Sequence, residues 1–128
     1  MKNKILFIMM LVMVLVGSSY ICTINAASNT ANSKPNFTSV PPPIKRVSEG
    51  EIVKIGAKAT GAPAPEYRWY KDDIRIYAGD KYSISYDNGA TELTINDTKP
   101  SDSGKYEVVA ENLLGKDEKT CELTVLPK

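Results

Sequence analysis

The chain has 128 residues, which sets an expectation of one domain, and a formal net charge of +1 with no histidine. The missing histidine excludes imidazole acid–base catalysis, histidine-dependent triads and His-liganded metal sites. Near-balanced charge argues against a nucleic-acid partner, because phosphate binding rests on dense positive charge.

Lys2 and Lys4 form a basic start, Ile5 to Val16 is an unbroken apolar run, and Gly17-Ser18-Ser19 leads to a more polar stretch ending at Ala26-Ala27. This layout is that of a secretory signal peptide over residues 1–26, with cleavage at Ala26 preferred over Ser19. The rival reading is an uncleaved anchor, since Ile5 to Ile24 carries no charge and is just long enough to span a bilayer. Only in that case is the chain expected to touch a membrane, and either way the remainder faces outside. Of the 16 basic residues, Lys2 and Lys4 leave with this segment, so 14 remain against 15 acidic ones. No tail for a lipid-anchor signal follows Leu126-Pro127-Lys128, and the expected product is secreted and extracellular.

Residues 27–43 are expected to hold a flexible leader and the start of the first strand. Ser28 to Lys34 is polar, and Pro41-Pro42-Pro43 is extended and poor in donors. From Ile52 to Ala59 the chain alternates, with Val53, Ile55, Ala57 and Ala59 on one face. Gly61-Ala62-Pro63-Ala64-Pro65 breaks that strand. Tyr67 to Lys71 is a short aromatic strand, and Lys81 to Tyr86 puts Tyr82, Ile84 and Tyr86 in phase. Asp87-Asn88-Gly89 is a hairpin motif returning into Thr91–Ile95. Asp97 to Gly104 is turn-rich. Lys105 to Ala110 alternates with Tyr106, Val108 and Ala110 in phase, and a last strand carries Cys121, Leu123 and Val125 on one face. Short strands at this spacing without helical periodicity predict an all-β, two-sheet sandwich.

Glu49-Gly50-Glu51, the Gly61–Pro65 turn, Trp69-Tyr70-Lys71-Asp72, Leu93-Thr94-Ile95 and Asp102-Ser103-Gly104-Lys105-Tyr106 occur in order, followed by Ala110, Asn112 and Gly115. In this arrangement residues 35–126 resemble an immunoglobulin domain of the I-set, as found in cell-adhesion molecules and giant muscle proteins. The resemblance implies that Trp69 is the indole buried between the sheets and that Leu93 is also a core residue. It also implies that Tyr106 forms the tyrosine corner, its hydroxyl bonded to backbone near Asp102. Gly104 is expected to permit the tight turn between the Leu93–Ile95 strand and the Tyr106 strand. Lys81 sits where the family often has an arginine facing the Asp102 position, so a Lys81–Asp102 salt bridge is expected.

The family's two core cysteines fall on Ala57 and Val108, so the inter-sheet (B–F) disulfide is absent. Such a bridge contributes about 4 kcal/mol by chain entropy. Two small apolar residues beside Trp69 recover part of that by burial. A disulfide-less core with a cysteine in the last strand resembles muscle I-set domains, whereas the export segment resembles small secreted single-domain proteins of invertebrates.

Cys121 is expected to be a buried free thiol, with an intermolecular disulfide as the other reading, so the chain is a monomer or a dimer. The acidic clusters, Asp72-Asp73, Glu107 with Glu111, and Asp117-Glu118, lack the spacing of a calcium loop and are expected to be solvated surface. Asn36 and Asn96 head N-glycosylation motifs. Tyr70, Lys71, Arg75 and Tyr77, with the outward side of the last two strands, are the candidate partner surface, Tyr and Arg being the residue types that carry interface energy. An unpaired strand edge that could add to another sheet is a further candidate. No cofactor, small-molecule substrate or enzymatic activity is expected. The function implied is protein binding in cell-surface recognition or adhesion, such as synapse or receptor-cluster organisation or neuronal guidance. The alternative is a structural domain associated with muscle or matrix.

Overall fold

The computed structural model describes residues 31–128 and, for the backbone alone, residues 9–16 and 19–26. Two compact units divide at Asn32 and Ser33. In the first, β1 (Met9–Val16) and β2 (Ser19–Ala26) pair antiparallel, Met9 opposite Ala26. The side chains of the expected export segment, Cys22 included, lie outside the described residues.

The second unit is a two-sheet sandwich. Its strands are β3 (Ser33–Ser39), β4 (Ile44–Ser48), β5 (Val53–Ala62), β6 (Glu66–Lys71), β7 (Ile74–Arg75), β8 (Tyr82–Asp87), β9 (Ala90–Ile95), β10 (Gly104–Asn112) and β11 (Gly115–Leu126). One sheet has the order β3-β5-β9-β8 and the other β4-β11-β10-β6-β7. The triple proline lies between β3 and β4, in the stretch where the chain passes from the first sheet to the second. Proline has no N–H to continue a ladder, so the crossover occurs where pairing is chemically weakest.

Period-two alternation builds the core. Val53, Ile55, Ala57 and Ala59 of β5 are buried, and so are Leu93 and Ile95 of β9. They face Tyr67 and Trp69 of β6, Tyr106, Val108 and Ala110 of β10, and Cys121, Leu123 and Val125 of β11. Trp69 is 1% exposed and donates its indole N–H to the Thr91 hydroxyl at 3.0 Å, so its one polar group is satisfied inside the sandwich. Ala57 and Val108 are 3% and 0% exposed, occupying the disulfide position with apolar atoms.

The β8–β9 hairpin closes through Asn88 and Gly89, both at positive φ (51° and 77°), as a two-residue turn of right-handed twist requires. The turn-rich Asp97–Gly104 stretch contains one 3-10 turn, Pro100–Asp102. Gly104 has a reason beyond turn tightness. A Cβ there would meet an Asp72 carboxylate oxygen at 2.6 Å, and that same carboxylate accepts the Lys105 N–H at 2.9 Å. The missing side chain lets the β6–β7 turn dock on the start of β10.

Candidate binding surface

Most of the residues singled out in the sequence serve the scaffold. The Tyr106 hydroxyl donates to the Asp102 carbonyl at 2.7 Å. The Asp102 carboxylate, on a residue 7% exposed, meets Lys81 Nζ at 2.6 Å and accepts the Lys99 N–H at 2.7 Å. Lys81 also donates to the Asp97 carbonyl at 2.9 Å, so together with its Asp102 pair it ties the start of β8 to the Asp97–Asp102 connection. Cys121 is a free thiol, fully buried opposite Tyr106. Burial pushes its pKa up, so the nucleophilic thiolate is suppressed.

Asn36 is exposed on the edge strand β3, and Thr38 beside it is exposed too. Asn96 is half-buried, and the Thr98 of its motif is fully buried, donating to the Glu51 carbonyl at 2.7 Å. β4 pairs with β11 over Glu122–Leu126 only, so the first half of β11 has no β4 partner.

Three of the partner-surface candidates, Tyr70, Arg75 and Tyr77, converge on the outer face of the five-stranded sheet, whereas Lys71 lies on the inward phase at the end of β6, opposite Tyr106. Arg75 is exposed, and its guanidinium lies over the Tyr77 ring at 5.0 Å and near the Tyr70 ring at 5.9 Å. Tyr70 and Lys71 are half-buried, whereas Tyr77 is 70% exposed. Lys71 turns aside to Asp72, 3.1 Å away. Among the described residues Arg75 has no carboxylate within 4.0 Å. Stacking on two rings pre-orders its long side chain and leaves the charge available.

Two residues on the outward side of β10 complete this face: Val109, which the sequence did not single out, and Glu107, which it marked only as part of an acidic pair. Val109 is 6% exposed although it lies on the outward phase of β10, opposite Arg68 and Glu118. An apolar residue on the polar phase was the available signal. Glu107, directly opposite Tyr70, is held above the usual glutamate pKa, first by burial and then by the Glu118 carboxylate. Arg68, the cation beside Val109, is already bound to Glu111 at 2.6 Å. Among the described residues no group of three potential metal-binding side chains exists, and no helix is long and apolar enough to cross a membrane. The arrangement is suited to recognition by packing and charge.

Residues 35–125 match the family model described as the immunoglobulin I-set domain. The chain is 38% identical over 103 residues to the titin homolog of Caenorhabditis elegans, covering 80% of this chain and, to the nearest per cent, 0% of that protein. It is 36% identical over 81 residues to the muscle M-line assembly protein unc-89 of the same organism, covering 62% of this chain and 1% of the relative. The chain thus spans about a hundredth or less of these relatives' length. Among solved structures, a chimeric titin Z1Z2 carrying a decorin peptide superposes with a TM-score of 0.72 at 30% identity, covering 77% of this chain and 100% of that one. A chain of the titin M10–obscurin-like 1 Ig complex gives 0.70 at 26% identity, covering 74% of this chain and 96% of that one. With its two-sheet topology, its Tyr106 corner and the match from Pro35 to Val125, the chain belongs to the immunoglobulin I-set family.

Proposed function

We propose that the chain is a secreted, non-enzymatic protein-binding module that acts in cell-surface recognition or adhesion through the outer face of its five-stranded sheet. The observation that carries this reading is the exposed Arg75 guanidinium, stacked on Tyr70 and Tyr77 and without a carboxylate partner among the described residues. An ordered, unpaired arginine among tyrosines is the composition of an interface hot spot. The apolar run behind Lys2 and Lys4 supports export. Receptor clustering, synapse organisation and neuronal guidance are the roles this chemistry and compartment suit. The solved complex of a titin Ig domain with an obscurin-like Ig domain supports recognition between proteins as a use of this fold.

A structural role in muscle or matrix is the second reading, supported by similarity to the titin homolog and to unc-89. Export separates the two. Intact mass of the protein from the medium of expressing cells is expected to begin near Ala27 and to be unchanged by reductant. A full-length chain retained in the cells would overturn the secreted reading and favour the structural one. If the chain is exported, Arg75→Ala is expected to reduce its binding to receptor-bearing cells while leaving its melting temperature within about 2 °C of the parent, as a surface substitution should.

A further inference from the structure

Four side chains form one row across the outer face of the five-stranded sheet. Arg75 on β7 is opposite Tyr70 on β6. Tyr70 is opposite Glu107 on β10, and Glu107 is opposite Thr120 on β11. Adjacent strands are about 4.8 Å apart, so Arg75 and Glu107 stand on opposite sides of Tyr70, about 10 Å from each other across the sheet. Arg75 leans instead on the Tyr70 and Tyr77 rings.

The other cations near this row are engaged. Arg68 is 2.6 Å from Glu111, Lys105 is 3.3 Å from Asp73 and Lys116 is 3.9 Å from Glu118. Glu107 itself has no cation within 4.0 Å among the described residues. One positive and one negative group are thus left over in the same row, equally spaced about a tyrosine. A two-fold axis through the middle of such a row exchanges its ends, which is the self-complementarity that an isologous interface needs.

We propose that this face binds a second copy of the chain about a two-fold axis at Tyr70, which sets Arg75 of each copy against Glu107 of the other. The inference rests on the reading that this face is a binding surface, and it names the occupant. The pairing adds two arginine–carboxylate contacts around a tyrosine–tyrosine centre, with Val109 beside it. Glu107 gains a cation in direct contact, where its own fold supplies Lys105 and Lys116 only from beyond 4.0 Å, and Arg75 reaches a carboxylate without giving up its aromatic support. Cys121 takes no part, because it is buried on the other side of the sheet. The dimer is therefore reversible and indifferent to reductant.

Sedimentation equilibrium of the protein recovered from expressing cells, in reductant, tests this up to about 1 mM, the weak end of specific association. A monomer–dimer equilibrium is expected. Arg75→Glu and Glu107→Arg should each weaken it by about tenfold or more, since like charges then meet. The combined variant R75E/E107R should recover to within about threefold of the parent, because the exchanged charges again oppose each other. Circular-dichroism melts establish that each variant is folded, and Arg75→Ala, which introduces no new charge, should weaken association less than Arg75→Glu. A protein that stays monomeric over the whole range, or a double variant no better than the singles, would overturn the proposal. A monomer that still binds receptor-bearing cells through Arg75 would sink the dimer alone and leave the recognition reading standing. Loss of cell binding with the charge exchange intact would do the reverse.

Discussion

Strand β10 has two faces with opposite histories. Tyr106, Val108 and Ala110 point inward and are 0% exposed, whereas Glu107, Val109 and Glu111 alternate with them on the outside. The inward set is constrained by volume and by satisfied polar groups. Each member has one environment, a closed sandwich, and few side chains fit it. The outward set is constrained by pairs along the sheet surface and by what approaches from solvent. Its charges are tied up in local pairs except where Glu107 faces Tyr70 and Arg75 stands beyond. The inside of the strand therefore reports the fold, and the outside carries what distinguishes this domain from others built the same way.

Substitutions can test how sharply the two faces divide. The largest effect is expected at Trp69. Trp69→Ala removes the central side chain of the core and leaves the Thr91 hydroxyl, 2% exposed, without the indole partner it has at 3.0 Å. A loss of about 4 kcal/mol in urea unfolding is expected. A loss below about 2 kcal/mol would mean that the core rearranges and that the inner face is less determined than its packing indicates.

Next in size, and opposite in sign, is restoring the missing cross-link. Ala57→Cys with Val108→Cys would join β5 to β10 across a loop of about 50 residues. The oxidised form is expected to unfold about 2–4 kcal/mol later than the reduced form. Ala57 and Val108 are both buried and the site contains no stranded polar group. A pair that fails to oxidise, or that gains nothing when it does, would show that the two strands have settled into a spacing set by the apolar pair.

Tyr106→Phe probes the corner more gently. It deletes one hydroxyl and leaves the Asp102 carbonyl without its 2.7 Å donor in a buried position. About 1–2 kcal/mol of destabilisation is expected. Lys81→Met removes a cation that is itself about a third exposed and leaves the Asp102 carboxylate its Lys99 N–H donor, so it should cost no more than about 1 kcal/mol. Equal losses would mean that the ion pair contributes more than its exposure suggests.

These scaffold residues were legible in the sequence because each obeys a rule that acts along the chain. Alternation marked Val53 to Ala59 and Tyr106 to Ala110, and the Asn-Gly dipeptide marked the β8–β9 turn. The resemblance to the I-set supplied the roles of Trp69, Tyr106 and the Lys81–Asp102 pair. What escaped depends on neighbours across strands. Thr91 reads as an ordinary strand threonine until the indole N–H reaches it. The need for glycine at 104 arises from Asp72, which is 32 residues earlier in the chain. β7 is two residues long and has no period to detect. The binding face was legible only as residue types. Tyr70, Arg75 and Tyr77 stood out by composition, but the register that puts Glu107 in the same row is a property of the folded sheet.

The smallest predicted effect sits on that outer face and has the clearest sign. Burial and the Glu118 carboxylate raise the Glu107 pKa, while Lys105 opposes them and Asp73 adds to the shift. An acid whose folded pKa lies above its unfolded value binds more protons when folded, so stability falls as pH rises through the window between the two. Glutamine at this position keeps the shape and cannot ionise. Glu107→Gln is therefore expected to stabilise the monomer above the raised pKa, by less than about 0.5 kcal/mol, and to lose that advantage as pH drops below the ordinary glutamate range near about 4.3. Thermal melts at pH 7 and pH 3.5, at protein concentrations that keep the chain monomeric, measure the difference. If Glu107→Gln destabilises at pH 7, the carboxylate is already satisfied within its own domain, and the outer face is as self-contained as the inner one. If it stabilises at pH 7 and not at pH 3.5, Glu107 is an ionised group that the isolated domain tolerates at a cost, which is the condition under which a second molecule offering Arg75 gains by binding there.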